Sequence, residues 1–199
     1  MTDVGAAVGA AVVGYLVGTF PSADLVTRVA TRGAVDLRRH GSGNPGGLNA
    51  IRVIGRRGGV VVILVDTAKG ALAGAIGYWM AGDAGAYLAA TAAIIGHCWP
   101  VWTRFRGGKG VATAGGSFAV VFPPFFAIGG LIALGTAVAT HRSALAISVT
   151  CAAWVVAALV WALADVSNAW GPTPDAGLVA YSVVGAAILV GRSRRRMGA

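Results

Sequence analysis

The chain has 199 residues, of which 56% are hydrophobic and 12% charged, and its formal net charge is +9. Its mean hydropathy is +0.74. Soluble domains contain about 25% charged residues, so this composition excludes an ordinary soluble domain and is typical of an integral membrane protein. The basic residues lie beside apolar segments rather than in a basic module interleaved with aromatic residues, so nucleic-acid binding is not expected.

Seven apolar segments, separated by polar turns, predict membrane-spanning helices. A hydrocarbon core of about 30 Å requires about 20 helical residues, so the third and fourth segments are short and have to borrow flanking residues or pack inside a bundle. No repeat or soluble domain interrupts them, and residues 1–199 are predicted to form a single all-α membrane domain. The predicted spans are Val4–Phe20, Gly59–Met80, Gly85–His97, Val111–Phe122, Phe125–Thr140, Ala144–Ala164 and Ala176–Val190.

The positions of the charges orient this seven-span bundle. Cytoplasmic loops of membrane proteins collect Lys and Arg. With the N-terminus outside, every Lys and Arg except Lys69 falls on the cytoplasmic side, together with the C-terminus. The charged residues on the opposite side are Asp3, Asp83, Asp165 and Asp175. The excess of basic charge also favours contact with anionic membrane lipid, at about 1 kcal/mol per basic residue near the surface.

The longest polar region, residues 21–58, joins the first two predicted spans and carries the first candidate motif. Its front part has the spacing of an interfacial helix, whereas HGSGNPGG predicts irregular backbone. In GSGNPGGLNAIR, Gly41 and Gly43 allow consecutive N–H groups to converge on an anion. The groups that would add hydrogen bonds or charge are Ser42, Asn44, Asn49 and Arg52. A flexible turn between an interfacial helix and a span would have the same composition.

The second candidate motif is the glycine loop, residues 103–110, which precedes an apolar run expected to be helical. A helix N-terminus after a glycine turn offers free N–H groups and the positive end of the helix dipole to a phosphate. It differs from a nucleotide P-loop, which has a glycine where Thr103 stands. A basic loop that only anchors a span is the alternative. The candidate phosphate-binding residues here are Gly107, Gly108, Lys109 and Gly110.

Asp66 and Lys69 lie three residues apart inside the second predicted span, hence on one helical face. Each charge at the centre of a span costs about 2.5–3.5 kcal/mol, so both are expected to face protein or a wet cavity. Mutual neutralisation would account for the pair, and so would a phosphate-binding Lys69 held by Asp66. His97, at the end of the third span, is either an interfacial hydrogen-bonding residue or part of the same site.

Several chemistries are absent from the sequence. No histidines have metal-ligand spacing and all seven acidic residues are dispersed Asp, so neither a metal nor another cofactor is predicted. The G-x-S-x-G nucleophile elbow is absent, since Gly41 to Pro45 reads G-S-G-N-P. No histidine is followed five residues later by Asp. Acyl transfer would therefore proceed without a visible histidine–carboxylate base.

Taken together, these segments resemble the bacterial integral-membrane acyl-phosphate:glycerol-3-phosphate acyltransferases, often called PlsY. The family motif G-S-G-N-P-G-A-T-N followed by Arg is similar to GSGNPGGLNAIR here. Its D-x-x-K-G is matched by Asp66, Lys69 and Gly70. Its G-H-x-x-P and F-x-G-G-K-G-V-A-T are matched by the stretches 96–100 and 105–113. The family's seven-span topology with the N-terminus outside agrees with the charge pattern.

The resemblance implies that an acyl chain moves from an acyl phosphate to the 1-hydroxyl of glycerol 3-phosphate, giving lysophosphatidate and inorganic phosphate. It implies Ser42 and Arg52 as catalytic residues and the glycine loop as the acyl-phosphate site. Lys69 and Arg52 would orient glycerol 3-phosphate, and His97 would lie with the substrate-binding residues. It also implies the bacterial inner membrane as location, a cytoplasmic active site, and no obligate protein partner.

Two departures from the family pattern stand out. Gly47 and Leu48 replace Ala-Thr of the first motif. The C-terminus reads GRSRRRMGA where the family carries H-R-E-N-I, and no histidine, glutamate or asparagine follows Asn168. A basic tail, Arg194 to Arg196, would have to substitute electrostatically. A non-catalytic relative or a small transporter that binds a phosphorylated ligand is the alternative interpretation.

Overall fold

The computed structural model describes residues 4–194, and within that range it is helical, with no β-strand. Asp3, Arg195 and Arg196, which contributed to the charge pattern, lie outside the described residues. One short 3₁₀ turn, Val101–Thr103, connects α3 and α4. The α-helices are α1 (Val4–Gly18), α2 (Ser22–Thr31), α3 (Gly47–Cys98), α4 (Val111–Val121), α5 (Pro123–Thr140), α6 (Ser143–Leu163) and α7 (Ala176–Arg194).

Helix α3 is too long for a single crossing and reverses direction near its middle. Ala81 and Gly82 leave the helical conformation, and Gly82 has a φ of 59°, which favours glycine. Beyond the reversal Gly85 packs directly on Gly77, and a Cβ on either glycine would overlap the other's carbonyl oxygen. Residues 56–80 (the first limb) and 83–98 (the second limb) therefore form an antiparallel helical hairpin, as the second and third predicted spans require.

The rear part of the polar region 21–58 is helical rather than a loop. Residues 47–54 form two turns of helix that reverse at Gly55, where φ is 87°. They fold back against the first limb, so that Gly47 lies on Ile63 and Gly59 lies on Ile51. The front part contains the expected interfacial helix, α2, and the HGSGNPGG stretch between them lies outside the helices. This folding brings the first motif down onto the bundle.

Helix α1 presents its large and small residues the wrong way round for a soluble protein. Its buried residues are Ala7, Ala10, Gly14 and Gly18. Its exposed ones are Val4, Val8, Val12 and Leu16, at 49–74% exposure. Small residues let helix backbones approach closely in a membrane, where large apolar side chains are solvated by lipid. Gly14 and Gly18 accordingly lie against the backbone of Ala89 and Ala93 in the second limb.

Helix α4 is only 11 residues long. Side chains from the connection between α6 and α7 donate hydrogen bonds to its last carbonyl groups. The last carbonyl groups of a helix have no partner within it and have to be satisfied inside a membrane. Trp170 Nε1 donates to Ala119 O at 2.7 Å and Asn168 Nδ2 to Val121 O at 3.5 Å. The segment 164–175 therefore contacts the end of α4 from the surface and supplies these two hydrogen-bond donors.

An aromatic cluster joins α4 to α5, α6 and α7. Phe118 packs edge-on against Phe125, Trp154 and Tyr181, with ring centroids 4.7–6.5 Å apart. Such pairs contribute about 0.5–1.5 kcal/mol each beyond their buried area. The cluster lies in the half of the molecule away from α1, and α3 lies between it and α1.

Apolar helical segments thus occupy all seven predicted spans, and their ends agree within a few residues. By length and composition, five helical stretches of the described residues are long enough to cross a membrane, and Val111–Val121 is a shorter apolar helix. The ends of these segments fall into two groups. Gly18, His97 and Arg192 lie at one end of the bundle, level with Lys69 midway along the first limb, and the reversal at Ala81 lies at the other end with residues 164–175.

The contact between α3 and α4 supplies a test of this packing. A Cβ at Gly116 would overlap the backbone of Thr67, whereas one at the adjacent Gly115 meets nothing within 4 Å. Gly116→Ala is expected to destabilise by about 1–3 kcal/mol through overpacking. Gly115→Ala is expected to be neutral or to stabilise by about 0.5–1 kcal/mol, since alanine favours helix. Thermal unfolding in detergent measures both, and equal effects would contradict the described packing.

Candidate active site

The site is built around the buried carboxylate of Asp66, which is 1% exposed. Its Oδ1 accepts a hydrogen bond from Ser22 Oγ at 2.5 Å and lies 2.8 Å from Lys69 Nζ. His97 Nδ1 lies 3.4 Å from the same oxygen. Three elements, α2 and both limbs of α3, thus converge on one atom. A buried charge is tolerated only when it is paired and hydrogen-bonded, and Asp66 meets both conditions.

Lys69 is fixed from two sides. Its ammonium pairs with Asp66 one helical turn away and donates to Phe20 O at 3.1 Å. That carbonyl lies where α1 ends, at a break imposed by Pro21. Only 6% of Lys69 is exposed, so the positive charge is held at one place near the end of the bundle. Both functions foreseen for the pair, neutralisation and the holding of Lys69, are compatible with this geometry.

His97 is buried rather than interfacial, at 8% exposure. Its buried Nδ1 faces Asp66 Oδ1 at 3.4 Å, at the long limit for a hydrogen bond. Its ring is covered by the glycine loop, because a Cβ at Gly108 would overlap Nε2. This close approach is the physical reason for the glycine at that position.

The glycine loop closes back on the end of the second limb. Gly107 N donates to Cys98 O at 3.2 Å and Gly108 N to His97 O at 3.1 Å. These two N–H groups are therefore not available to bind a phosphate. Of the predicted phosphate-binding groups of this loop, Lys109 and the first turn of α4 remain. Gly110, with a φ of 84°, precedes α4 and turns the chain into it. The first N–H groups of a helix have no partner within it, so this turn keeps donors for an anion.

Arg192, near the end of α7, holds the glycine loop from behind. Its Nη2 donates to Gly107 O at 2.7 Å and to Gly108 O at 3.0 Å, and its Nε donates to Gly108 O at 3.1 Å. The guanidinium also lies over the Trp99 ring, 5.3 Å from the centroid. The planar guanidinium bonds two carbonyl groups at once and stacks on an indole ring, and a lysine ammonium could not make both contacts.

Asn49 organises the first motif. Its Oδ1 accepts from Ser42 N at 2.8 Å, and its Nδ2 donates to Leu37 O at 3.1 Å and His40 O at 2.9 Å. Gly41 lies directly on this amide with a φ of 60°, where a Cβ would overlap Oδ1. The side chain of Asn49 is therefore committed to the shape of the loop, and it keeps Ser42 and Gly43 at the surface side of the site.

The glycine loop contacts the polar region 21–58 that carries the first motif. Arg38 Nε donates to Arg106 O at 2.9 Å, while Arg38 pairs through two hydrogen bonds with Asp24 of α2. The hydrogen bond to Asp24 raises the pKa of the Arg38 guanidinium above its ordinary value. Pro45 O lies close to Gly108. The first motif, α2 and the glycine loop are thus joined at one end of the bundle.

A small cavity of about 20 Å3 lies where these parts meet. It has room for about one water molecule. Four predicted site residues line it, namely Lys69, His97, Gly107 and Gly108. The other predicted residues are not in its wall, and Ser42 and Arg52 are exposed. The residues outside the wall are Gly41, Ser42, Gly43, Asn44, Asn49, Arg52, Lys109 and Gly110.

Three contributors to the site were not identified from the sequence. Ser22 and Arg38 belong to the polar region after α1, and Arg192 entered the sequence analysis only as one of the cytoplasmic basic residues. Each acts on a partner far away in the chain, for example Ser22 on Asp66 across 44 residues. In the sequence each of them is only a polar residue beside an apolar segment. For the two arginines the positive-inside rule already explains that position, so nothing further in the sequence indicated a function in the site.

Comparison with known proteins gives a consistent result. The family model described as glycerol-3-phosphate acyltransferase matches residues 8–198. A glycerol-3-phosphate acyltransferase of Exiguobacterium sibiricum is 40% identical over 121 residues, which cover 61% of this chain and 58% of that protein. The chain spans about three-fifths of the length of the first curated relatives that it matches.

Two crystal structures of PlsY, an integral membrane glycerol 3-phosphate acyltransferase, have a similar fold. The glycerol 3-phosphate form has a TM-score of 0.79 and 29% identity, covering 96% of this chain and 90% of that one. The lysophosphatidic acid form has a TM-score of 0.77 and 28% identity, with 96% and 89% covered.

The buried ion pair predicts a non-additive effect on stability. Asp66→Asn leaves Lys69 as an uncompensated buried charge and is expected to cost about 3–5 kcal/mol in the free energy of unfolding. In the double variant Asp66→Asn/Lys69→Met both charges are gone, so its loss is expected to be smaller than the sum of the two single losses. Thermal unfolding in detergent measures all three variants. Strictly additive losses would show that the two charges do not interact.

The contact of Arg192 predicts a local change in hydrogen exchange. Arg192→Ala removes charged hydrogen bonds to Gly107 O and Gly108 O, each worth about 1.5–3 kcal/mol. Amide exchange in residues 103–110 is therefore expected to accelerate roughly tenfold to a hundredfold, measured by mass spectrometry. Arg194→Ala, two residues further along α7 and exposed, is the matched control. Equal exchange in the two variants would contradict the assigned contact.

Proposed function

The chain belongs to the glycerol-3-phosphate acyltransferase family, and from that premise we propose that it transfers an acyl chain from an acyl phosphate to the 1-hydroxyl of glycerol 3-phosphate. The hydroxyl oxygen attacks the acyl carbon, the bond between that carbon and the phosphate oxygen breaks, and phosphate leaves. The products are lysophosphatidate and inorganic phosphate. The related PlsY structures, one a glycerol 3-phosphate form and one a lysophosphatidic acid form, support this choice of acceptor and product.

The observation that carries the proposal is the joining of two anion-suited loops above one buried lysine. Both substrates carry a phosphate, so one active site has to hold two anionic groups side by side. The first motif and the glycine loop meet through Arg38 and Arg106, and Lys69 lies beneath them. We place both phosphates at the open face of the loops, above the small cavity that Lys69 lines.

In this proposal Lys109 and the first turn of α4 hold the phosphate of the acyl phosphate. Charge at a helix N-terminus is stabilised there by unpaired N–H groups and by the dipole. Arg52 and Lys69 orient glycerol 3-phosphate, and Ser42 and Asn44 add hydrogen bonds to it. The remaining residues of the site set its shape: Gly41, Gly43, Asn49, His97, Gly107, Gly108 and Gly110.

The chemistry asks little of the protein beyond charge and position. An acyl phosphate is a mixed anhydride and is already activated, so catalysis consists chiefly of alignment and stabilisation of the developing charge. Lys69 is held by Asp66 and Phe20 O, so its charge needs no reorganisation during the reaction. We assign the acceptance of the hydroxyl proton to a substrate phosphate. A pH–rate profile that requires a protein group titrating near neutrality would contradict that assignment.

The protein is an integral membrane protein with several apolar helices, and we propose seven crossings with the N-terminus outside. The reversal of α3 at Ala81 supports two crossings by that helix. The hydrogen bonds from Asn168 and Trp170 to the last carbonyl groups of α4 support a crossing by a helix of 11 residues. Basic residues beside the site support a cytoplasmic active site in the bacterial inner membrane. Glycerol 3-phosphate is a water-soluble substrate that would reach the site from that side.

An assay of the purified protein in lipid tests the proposal. With acyl phosphate and glycerol 3-phosphate, we expect release of phosphate and formation of lysophosphatidate. Arg52→Ala and Lys109→Ala are each expected to lower kcat on the order of 100-fold, as expected for loss of one charge-stabilising group. Arg57→Ala, an exposed arginine of the same region, is the control and is expected to retain activity. Binding of both substrates without turnover would favour a non-catalytic relative instead.

A further inference from the structure

Three consecutive carbonyl groups of the glycine loop each accept a hydrogen bond from an arginine side chain. Arg38 Nε donates to Arg106 O at 2.9 Å, and Arg192 donates to Gly107 O and Gly108 O. A carbonyl oxygen carries partial negative charge and would repel a phosphate that it faced. The two guanidinium groups offset that charge and hold the oxygens in fixed directions. The loop is therefore held by two arginines from distant parts of the chain.

The peptide group between Arg106 and Gly107 is held on both of its edges. Because a trans peptide is planar, its C=O and its N–H point in opposite directions. Gly107 N donates to Cys98 O at 3.2 Å, at the end of the second limb, while Arg106 O accepts from Arg38. The position of the Arg38 guanidinium therefore decides where the buried part of the glycine loop begins.

The guanidinium of Arg38 is itself fixed by two carboxylates. Its Nη1 and Nη2 donate to the two oxygens of Asp24 at 2.5 and 3.0 Å. The backbone N of Arg38 donates to Asp36 Oδ1 at 2.9 Å. A two-pronged pair of this kind fixes orientation as well as distance. Arg38 thus connects α2, through Asp24, to the glycine loop with a rigid planar group.

The backbone around Arg38 is joined to the first motif. Leu37 O accepts from Asn49 Nδ2 at 3.1 Å, and Asn49 also accepts from Ser42 N. Arg38 O lies against Gly43, where an added Cβ would come within 3.3 Å of it. The segment whose side chain reaches the glycine loop therefore also shapes the first motif through its main chain.

We propose that Arg38 is a positioning residue of the acyl transfer: paired with Asp24, it fixes the spacing between the first motif and the glycine loop. The inference rests on the proposed function and adds a residue that lies outside every matched motif. Arg38 acts on the two bound phosphates through the loops that hold them. A misalignment of about 1 Å can cost on the order of 100-fold in rate, so loss of this spacing slows transfer even when each loop still binds its ligand.

The kinetics of Arg38 variants separate positioning from binding. Arg38→Gln is expected to lower kcat by about 10- to 100-fold, with KM for each substrate changed less than about threefold. Arg38→Lys keeps the charge but cannot bind Asp24 and Arg106 O together, so it is expected to behave like Arg38→Gln. Arg39→Gln removes the same charge from the adjacent exposed arginine and is expected to retain activity. Full activity in Arg38→Lys, or a rise in KM with kcat unchanged, would overturn the inference.

A double variant tests whether Arg38 and Asp24 act as one unit. Asp24→Asn weakens the hold on the guanidinium and is expected to lower kcat. Asp24→Asn/Arg38→Gln is expected to be no slower than Arg38→Gln alone. The pair is partly exposed, at 21% and 32%, so the midpoint of thermal unfolding is expected to shift by no more than about 3 °C. Losses that multiply in the double variant would overturn the inference.

A distance measurement decides the spacing of the loops without turnover. Spin labels are placed on cysteines introduced at Leu48 and Arg106, both exposed, while the native cysteines are buried. Electron paramagnetic resonance in lipid is expected to give a narrow distance distribution, unchanged by Arg39→Gln and broadened by Arg38→Gln. Equal distributions in these two variants would overturn the inference. Broadening in a protein that shows no turnover at all would support the spacing assigned to Arg38 while refuting the proposed function.

Discussion

The carboxylate of Asp66 is the constraint on which the rest of the structure depends. It sits inside a helix hairpin, where an unpaired charge would cost several kcal/mol. Ser22, Lys69 and His97 surround it, and these come from the connection after α1 and from both limbs of α3. Satisfying one buried charge thus fixes the relative positions of the elements that carry the two motifs.

The residues around Asp66 in turn hold the two loops of the site. His97 supports the glycine loop, Arg192 bonds its carbonyl groups, and Arg38 ties it to the polar region that carries the first motif. The side chains nearest the core are locked by hydrogen bonds, while Ser42 and Arg52 stay at the surface. Such an arrangement suits a reaction in which two charged, small head groups are aligned and the protein contributes little covalent chemistry.

The helices and the meeting of the two motifs were predictable, because apolar length and basic loops are properties of short stretches. The backward fold of residues 47–54 was not, since a Gly-Arg-Arg-Gly-Gly sequence is compatible with a loop and only Gly55 at positive φ turns it. Nor was the effect of Gly47: an alanine there would overlap Ile63, so the small residue is matched by a large one across the fold. The function of Arg192 also required the tertiary structure, because its partners lie more than 80 residues away.

The central claim is that the two loops hold two phosphates at once, and a titration tests it most directly. The purified protein is saturated with a non-transferable acyl phosphonate and then titrated with glycerol 3-phosphate by calorimetry. The account predicts that glycerol 3-phosphate still binds, one molecule per chain, with an affinity similar to that in the absence of the phosphonate. Strict competition between the two ligands would show a single anion site and contradict the account.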